Sequence, residues 1–305
     1  MNGWLVINGF LKSRKFNDLY RLLSDAFLAR GMSLATVKNT EFASPLGDPL
    51  TPLRPLKVRR PDFVLFWDKD AVLAQRLEEA GIPVFNSAAA IACCDDKILT
   101  ARALVRAGVP TPRTVVAPKT FEGIGRQSMD FLQDATKTLG FPLVVKEACG
   151  SFGQQVYLAR TIKEARDIIK QIGHKDFLMQ EFIEESFGED LRLNIVGGKV
   201  VAAMRRFNKT DFRSNVTLGG NTEPFMPTIA QRDAAIAACK AVGTVFAGVD
   251  ILFGPGGIPL VCEVNSNPHF RSTLDCTGVN MAIRLADWLL HRLAGRPHRC
   301  TKPKR

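Results

Sequence analysis

Two hydrophobic rhythms take turns along this chain. Short runs rich in Val, Ile and Leu, such as "WLVING", "SLATV", "DFVLFWD" and "IPVFN", read as β-strands. Between them the apolar residues fall three and four apart. This happens over residues 18–30 and again in "KDAVLAQRLEEAG", which closes at Gly81, a good C-terminal stop. A further helix begins near Ser87. Strand and helix alternating over residues 1–90 predict a small parallel α/β domain. A helix from Asp95 to Gly108 then leads into the proline-punctuated "VPTPRTVVAP", a natural boundary.

The second unit, 91–185, holds the buried runs "PLVVK" (142–146) and "FLMQEFI" (177–183) around the helix "TIKEARDIIKQIG". In the third, 186–295, "EDLRLNIVGGKVVAAMRRF" predicts a strand pair turning at Gly197-Gly198. After the loop "NKTDFRSNVTLGGN" come a helix from Ala230 to Val245, a hairpin, and a last helix ending at Leu293. No internal repeat is present, and the fold class is α/β.

That hairpin joins "GVDILF" to "PLVCEVN" through the turn signal "GPGG". Folding about Gly256-Gly257 sets Asp250 opposite Glu263, roughly 5 Å away, with Asn265 on the same face. Two carboxylates and an amide oxygen converging there suit Mg²⁺. The plainer alternative is a pair of acids facing water. Opposed acids repel, which favours a cation between them.

Composition narrows the picture. The 305 residues exceed the usual span of one core, and 46% hydrophobic with 23% charged residues describes an ordinary globular protein. No apolar run reaches 18 residues, and "WLVINGF" is too short for a signal segment, so a cytoplasmic protein is expected. Cys93, Cys94, Cys149, Cys239, Cys262, Cys276 and Cys300 have neither CxxC spacing nor a metal-ligand rhythm, and read as reduced thiols. The net charge of +11 is uneven. Arg296, Arg299, Lys302, Lys304 and Arg305 crowd the tail 296–305, expected to be a disordered, solvated end or else an arm for RNA or an acidic partner. Arg54, Lys57, Arg59 and Arg60 lie among prolines in an expected exposed loop.

Other pieces are individually weak. Lys146 ends a buried strand and is followed by "ACGSFGQQV", whose Gly150 and Gly153 let backbone N–H groups approach an anion. The loop lacks the Walker A pattern, and "QQVYLA" suggests a hairpin closing over a ligand. "QEFI" (180–183) offers linker backbone to a base edge, and Asp190 a carboxylate to ribose hydroxyls.

Taken in order, "DK" at Asp96-Lys97, "PLVVK", "GSFG", "QEFI", "EDLR", "VVAAMRR", "DFRSN" and "GVDIL…CEVNSNP" resemble the ATP-grasp superfamily, specifically its RimK-like carboxylate–amine ligases. The resemblance covers nearly the whole chain. It implies an N-terminal preATP-grasp domain, a small central lid domain and a C-terminal mixed-sheet domain. By the same resemblance Lys97 and Lys146 neutralise ATP phosphates under the loop of Gly150, Ser151 and Gly153. Gln180, Glu181, Phe182 and Ile183 face the adenine, and Asp190 the ribose. Asp250, Glu263 and Asn265 hold two Mg²⁺ ions, with Mn²⁺ as an acceptable substitute. Arg213, Ser214 and Asn215 approach the phosphates and the acceptor, and Arg205, Arg213 and Asn215 are the catalytic candidates. Arg206, Asn267, His269 and Arg271 are substrate candidates; His269 serves there or merely packs in its loop.

The implied reaction is ATP-dependent amide-bond formation through an acyl phosphate. Glutamate or a similar amino acid is joined to a small molecule, peptide or protein. In-line positioning and cations on the transferring phosphoryl group suffice, with no nucleophilic triad. Cys149, although inside the loop, is not expected to be catalytic. The alternative is a catalytically silent ATP-binding or basic RNA-binding module on the same fold. No membrane partner is expected, nucleic acid only through the tail, and a homo-oligomer is left open. "SNPHFRSTLDCTGVN" departs from the ribosomal-protein-modifying relative, leaving the acceptor undecided.

Overall fold

The computed structural model describes residues 1–42, 58–150 and 153–294. Of the sequence expectations, the tail 296–305, Arg54, Lys57 and Ser151 lie outside the described residues.

The alternation at the amino end is a parallel sheet. Strands β1 (Asn2–Ile7), β2 (Ser33–Lys38), β3 (Phe63–Phe66) and β4 (Val84–Phe85) lie in the order β2-β1-β3-β4. Helix α1 (Arg14–Leu28) starts four residues before the expected Asp18. Its apolar stripe of Leu19, Tyr20, Leu23 and Phe27 is extended backwards by Phe16, which packs on the same core. The Asp70 side chain caps helix α2 (Ala71–Glu79) by accepting from the Leu73 N–H at 2.9 Å.

The helix expected over 95–108 is broken at its start. α3 (Ala88–Asp95) ends and α4 (Lys97–Arg106) begins at Asp96, whose carboxylate accepts from the N–H groups of Ile98 and Leu99 at 2.7 and 3.2 Å. Lys97 therefore stands at the first helical position of α4, with its own N–H bonded to the Ala148 carbonyl at 2.9 Å.

The second sheet is antiparallel throughout. Its strands β5 (Thr114–Val116), β6 (Leu143–Glu147), β7 (Val156–Ala159) and β8 (Phe177–Glu181) run in the order β5-β8-β6-β7. The β6–β7 pair is the hairpin that "QQVYLA" suggested. Helix α6 (Ile162–Ile172) and the unforeseen α5 (Asp130–Leu139) cover it with Ala165, Ile169, Leu132 and Leu139.

The third sheet joins β9 (Glu189–Val196), β10 (Lys199–Phe207), β11 (Asn221–Pro224), β12 (Phe246–Phe253) and β13 (Pro259–Asn265) in the order β11-β10-β9-β12-β13. Every pairing in it is antiparallel, which corrects the expected mixed sheet. The cause is local: β9–β10 and β12–β13 are tight hairpins, and β12 returns against β9 in the opposite sense.

Alternation along these strands divides the sheet's two faces. Leu191, Leu193, Ile195, Val249 and Ile251 point into the core formed with α7 (Ile229–Val242). Their neighbours point the other way and remain for the site. Helices α8 (Arg271–Thr277) and α9 (Met281–Ala294) follow. The amino-terminal domain docks beside this second face. Trp67 stacks on Phe246 with centroids 5.2 Å apart, and buried Asn86 donates to the carbonyls of Phe246 and Ser266 at 2.9 and 2.7 Å.

Candidate active site

On the open face of the third sheet, register sets side chains in rows. Met204, Arg192, Asp250 and Glu263 lie across β10, β9, β12 and β13; Asn194, Gly248 and Asn265 form the next row. Arg206 stands beside Asp190.

The expected pairing of Asp250 with Glu263 is present, by a different geometry. The turn is a short 3₁₀ segment, Pro255–Gly257, so Ile251 pairs with Val261 rather than Cys262. The register then shifts between Asp250 and Ile251: Cys262 is one residue too many on its strand, and this bulge restores the opposition.

Repulsion between the two acids is not left to a metal alone. Asp250 is 4% exposed and Arg206 5%, so both charges are stripped of water. Arg192 grips Asp250 in a fork, with Nε on Oδ1 and Nη2 on Oδ2 at 2.7 Å. Arg206 adds a contact from Nη2 to Oδ2 at 3.0 Å and holds Asp190 through Nε at 2.7 Å. Burial alone would push the Asp250 carboxyl up; the two guanidiniums outweigh it and hold the group below its ordinary value. Burial likewise disfavours the Arg206 cation, yet Asp190 and Asp250 raise its pKa. Glu263 faces Lys97 at 3.8 Å.

Two clefts flank this row. The first encloses about 1160 Å³, open solvent at its mouth included. Val144, Leu178 and Leu252 line it, beside the linker Gln180–Ile183, and so do Lys97 and Lys146. Lys146 Nζ lies 3.3 Å from the Cys262 sulfur, a thiol that burial pushes up and Lys146 only partly counters. The second cleft, about 1880 Å³ on the same measure, opens between the third sheet and the amino-terminal domain. Arg206, Asn215 and Glu263 line both, so the clefts meet there.

Most sequence candidates come together. Lys97, Lys146, Gly150, Gly153, Gln180, Glu181, Phe182, Ile183, Asp190, Arg213, Ser214, Asp250 and Glu263 border the first cleft. Asn265, Asn267, His269 and Arg271 border the second. Several do something other than expected. Glu181 turns its carboxylate out to Arg113 Nε at 2.6 Å, leaving backbone at the linker. Asp190 gives both oxygens to Arg206 instead of standing open for a ribose. Arg213 clasps the glycine loop, donating from Nη1 to the carbonyls of Gly153 and Val156 at 2.8 and 3.3 Å. Gly153, at φ +74°, lies so near Asn215 that a Cβ would come within 2.6 Å of its Oδ1. His269 both lines the second cleft and packs, its Nε2 3.3 Å from the Lys15 carbonyl and its ring edge-on to Phe16.

Arg205 is not brought in. Adjacent to Arg206 on a strand, it faces the other side, ion-paired to Glu189 at 2.5 Å and Glu223 at 2.8 Å, and it lines neither cleft. Cys149 is no activated nucleophile: burial and then Asp95 and Asp96 raise its pKa. Residues missed from sequence include Arg192, which period-two spacing from Asp190 would have flagged. Asn8, Lys15, Asp68 and Lys69 were missed as well; they reach the second cleft from the amino-terminal domain with no local signal.

The donor set can be tested against a divalent ion. Among the described residues no cluster of three or more His, Cys, Asp or Glu side chains forms a metal cage. Two carboxylates and one amide oxygen remain, and Mg²⁺ is commonly held by one or two carboxylates with phosphate oxygens and water completing its shell. The residues therefore fit magnesium beside a nucleotide better than a stand-alone metal centre.

The RimK-like ATP-grasp domain profile matches residues 94–289. A probable alpha-L-glutamate ligase 2 of Shewanella amazonensis is 38% identical over 228 residues, 73% of this chain and 72% of that protein. A probable alpha-L-glutamate ligase of Thioalkalivibrio sulfidiphilus is 38% identical over 233 residues, 75% of this chain and 73% of its own length. Among solved structures, a RimK domain ATP-grasp protein from Sphaerobacter thermophilus superposes with a TM-score of 0.71 at 24% identity, covering 94% of this chain and 99% of that one. D-alanine–D-alanine ligase from Bacillus anthracis gives 0.71 at 20%, covering 96% and 97%. This chain belongs to the RimK-like ATP-grasp family. It is an enzyme of the ligase class that forms C–N bonds, and its matched domain is of the ATP-grasp type. Nothing favours the silent ATP-binding or RNA-binding module. Among the described residues no helix is long and apolar enough to cross a membrane.

Proposed function

We propose that this enzyme joins glutamate, or a closely similar amino acid, to a carboxylate-bearing acceptor, with ATP in the first cleft and the coupled molecules in the second. The observation that carries this reading is the meeting of the two clefts at Arg206, Asn215 and Glu263. A phosphoryl group can pass only between molecules that touch, and that junction is where the nucleotide's phosphate end reaches the other cleft. The relatives' name as alpha-L-glutamate ligases supports the amino acid.

The residues divide the work. Val144, Leu178 and Leu252 bury the base beside linker backbone. Lys97 and Lys146 oppose phosphate charge, and the Arg213 clasp closes the glycine loop against water that would hydrolyse an acyl phosphate. Asp250, Glu263 and Asn265 are the ligands for magnesium, two ions in our reading. When bound, magnesium supplies charge neutralisation on the transferring phosphoryl group. A carboxylate oxygen of one substrate bonds to the γ-phosphorus as ADP leaves. The amine of the other then bonds to the acyl carbon, and phosphate departs carrying that oxygen. We take 1–90, 91–185 and 186–295 as the three structural units that build this site.

The test is direct. Purified protein with ATP, Mg²⁺ and L-glutamate, alone or with peptides ending in glutamate, should release ADP and phosphate. ¹⁸O from a labelled substrate carboxylate should appear in the phosphate. Asp250→Asn and Glu263→Gln should each lower turnover about 100-fold or more. Full turnover by both variants, or unlabelled phosphate, refutes the assignment.

A further inference from the structure

Arg192 holds both oxygens of a carboxylate read above as a metal ligand. It stands directly opposite Asp250 across β9 and β12, forks onto Oδ1 and Oδ2, and lines the second cleft rather than the first. Arg206 touches the same carboxylate but is anchored separately by Asp190. Arg192 has no second anchor: among the described residues its side-chain hydrogen bonds go to Asp250 alone. Gly248, next to Asp250 on the same sheet face, gives it room. A Cβ there would lie 3.1 Å from both Arg192 Cδ and Nη1.

A divalent ion that takes an Asp250 oxygen brings two positive charges against two guanidiniums in a site stripped of water. Three cationic groups on one carboxylate repel one another strongly at low local dielectric. The less anchored partner yields, and the open side available to it is the second cleft.

We propose that Arg192 is a movable counterion: it holds Asp250 while no divalent ion is bound, and turns into the second cleft to grip a substrate carboxylate when one is. The proposal rests on the reading of Asp250 as a metal ligand. It makes Arg192 a substrate-binding residue that links metal loading to capture of an acidic substrate. A guanidinium suits this because its planar fork fits either carboxylate in the same bidentate manner. Linkage then requires reciprocity: an acidic substrate that occupies Arg192 frees Asp250, so it tightens metal binding by the factor by which metal tightens the substrate.

Calorimetry reads this without turnover. The Mn²⁺ complex of a nonhydrolysable ATP analogue is titrated into the full-length protein, with and without saturating L-glutamate. In the unmutated protein glutamate should tighten the complex about tenfold, within the usual range of coupling between sites. The analogue without metal should show no such effect. Arg192→Gln should bind the metal complex at least as tightly as the unmutated protein does without glutamate, and glutamate should no longer change that affinity. Arg192→Lys keeps the charge but loses the fork, and should cut the coupling likewise if the glutamine variant fails to fold. Looser metal binding by Arg192→Gln, coupling that survives in it, or no effect of glutamate on the unmutated protein overturns the proposal. Asp250→Asn separates the two readings. If it binds the metal complex as tightly as the unmutated protein, the metal assignment itself fails; if it binds weakly while glutamate leaves the unmutated protein's affinity unchanged, only the role of Arg192 falls.

Discussion

The two clefts that meet at Glu263 are built on different physical plans. The first has aliphatic walls from β6, β8 and β12 beside Lys97 and Lys146, and its buried acids Asp190 and Asp250 are already held by guanidiniums. Such a surface fits one ligand with an apolar base and a charged tail. The second is larger and draws charged residues from several elements, Lys15, Asp68, Lys69, Arg271 and Asp275, with Arg271 and Asp275 paired to each other at 2.8 Å. It also draws on two domains, so its width depends on how α1 and the loop after β13 sit together. If the nucleotide sits in the first cleft and the coupled molecules in the second, as proposed, the two seats share, among the described residues, only Arg206, Asn215 and Glu263. Substitutions in the two clefts should therefore separate cleanly.

The sharpest contrast is between neighbours on β10. Arg206 is buried at the junction between Asp190 and Asp250, so Arg206→Ala strips buried Asp190 of its guanidinium and leaves Asp250 with Arg192 alone. We expect a loss of about 3–5 kcal/mol of stability, together with loss of turnover. Arg205 is one-third exposed between Glu189 and Glu223, so Arg205→Ala should cost no more than about 1 kcal/mol and leave turnover near normal. Urea denaturation and an ADP-release assay on both variants decide it. Equal destabilisation by the two would break the distinction between the sheet's faces.

His269 sharpens the comparison of clefts by a smaller effect. Burial, and then Lys15, lower its pKa, so the ring stays neutral and packs between Phe16 and the second cleft. His269→Ala removes one neutral hydrogen bond and its packing, about 1 kcal/mol. The KM for the amino acid should rise several-fold while the KM for ATP holds. A rise in the ATP KM instead would mean that the clefts are not independent.

How much of this was readable beforehand follows the same division. Nucleotide-site residues fall on strand ends and turns whose apolar runs and glycines announce them locally, as with Lys146 after "LVV" or Asp250 opposite Glu263. The second cleft depends on how domains dock. Nothing around Lys15 or Asp68 in sequence says that Trp67 will stack on Phe246 and carry them to the third sheet. Register was the other hidden quantity. Alternation says that only one of Arg205 and Arg206 can face the site, but which one depends on pairing with β9. The bulge at Cys262 shows the limit of counting: the right partners met through a turn the count did not describe. The break at Asp96, by contrast, was legible in principle, because an Asp before a helical run is a capping signal.

The smallest expected effect concerns the glycine loop's clasp. Asp211 holds the Arg213 guanidinium, accepting from Nη2 at 2.7 Å while Nη1 reaches the loop carbonyl of Gly153. The hydrogen bond from Arg213 outweighs partial burial and sets the Asp211 carboxyl below its ordinary value. A carboxylate whose pKa is lower folded than unfolded contributes stability above the unfolded value, and that contribution fades as pH falls through the folded one. Asp211→Asn should therefore reduce stability at neutral pH by less than about 1 kcal/mol, with the difference closing once the pH drops below the folded pKa of the carboxyl. Thermal melts of both proteins from pH 7 down to the acid limb measure this. A gap that widens on acidification would mean that the clasp is held by something other than the Asp211 charge, and the Arg213 contact with the loop would need another support.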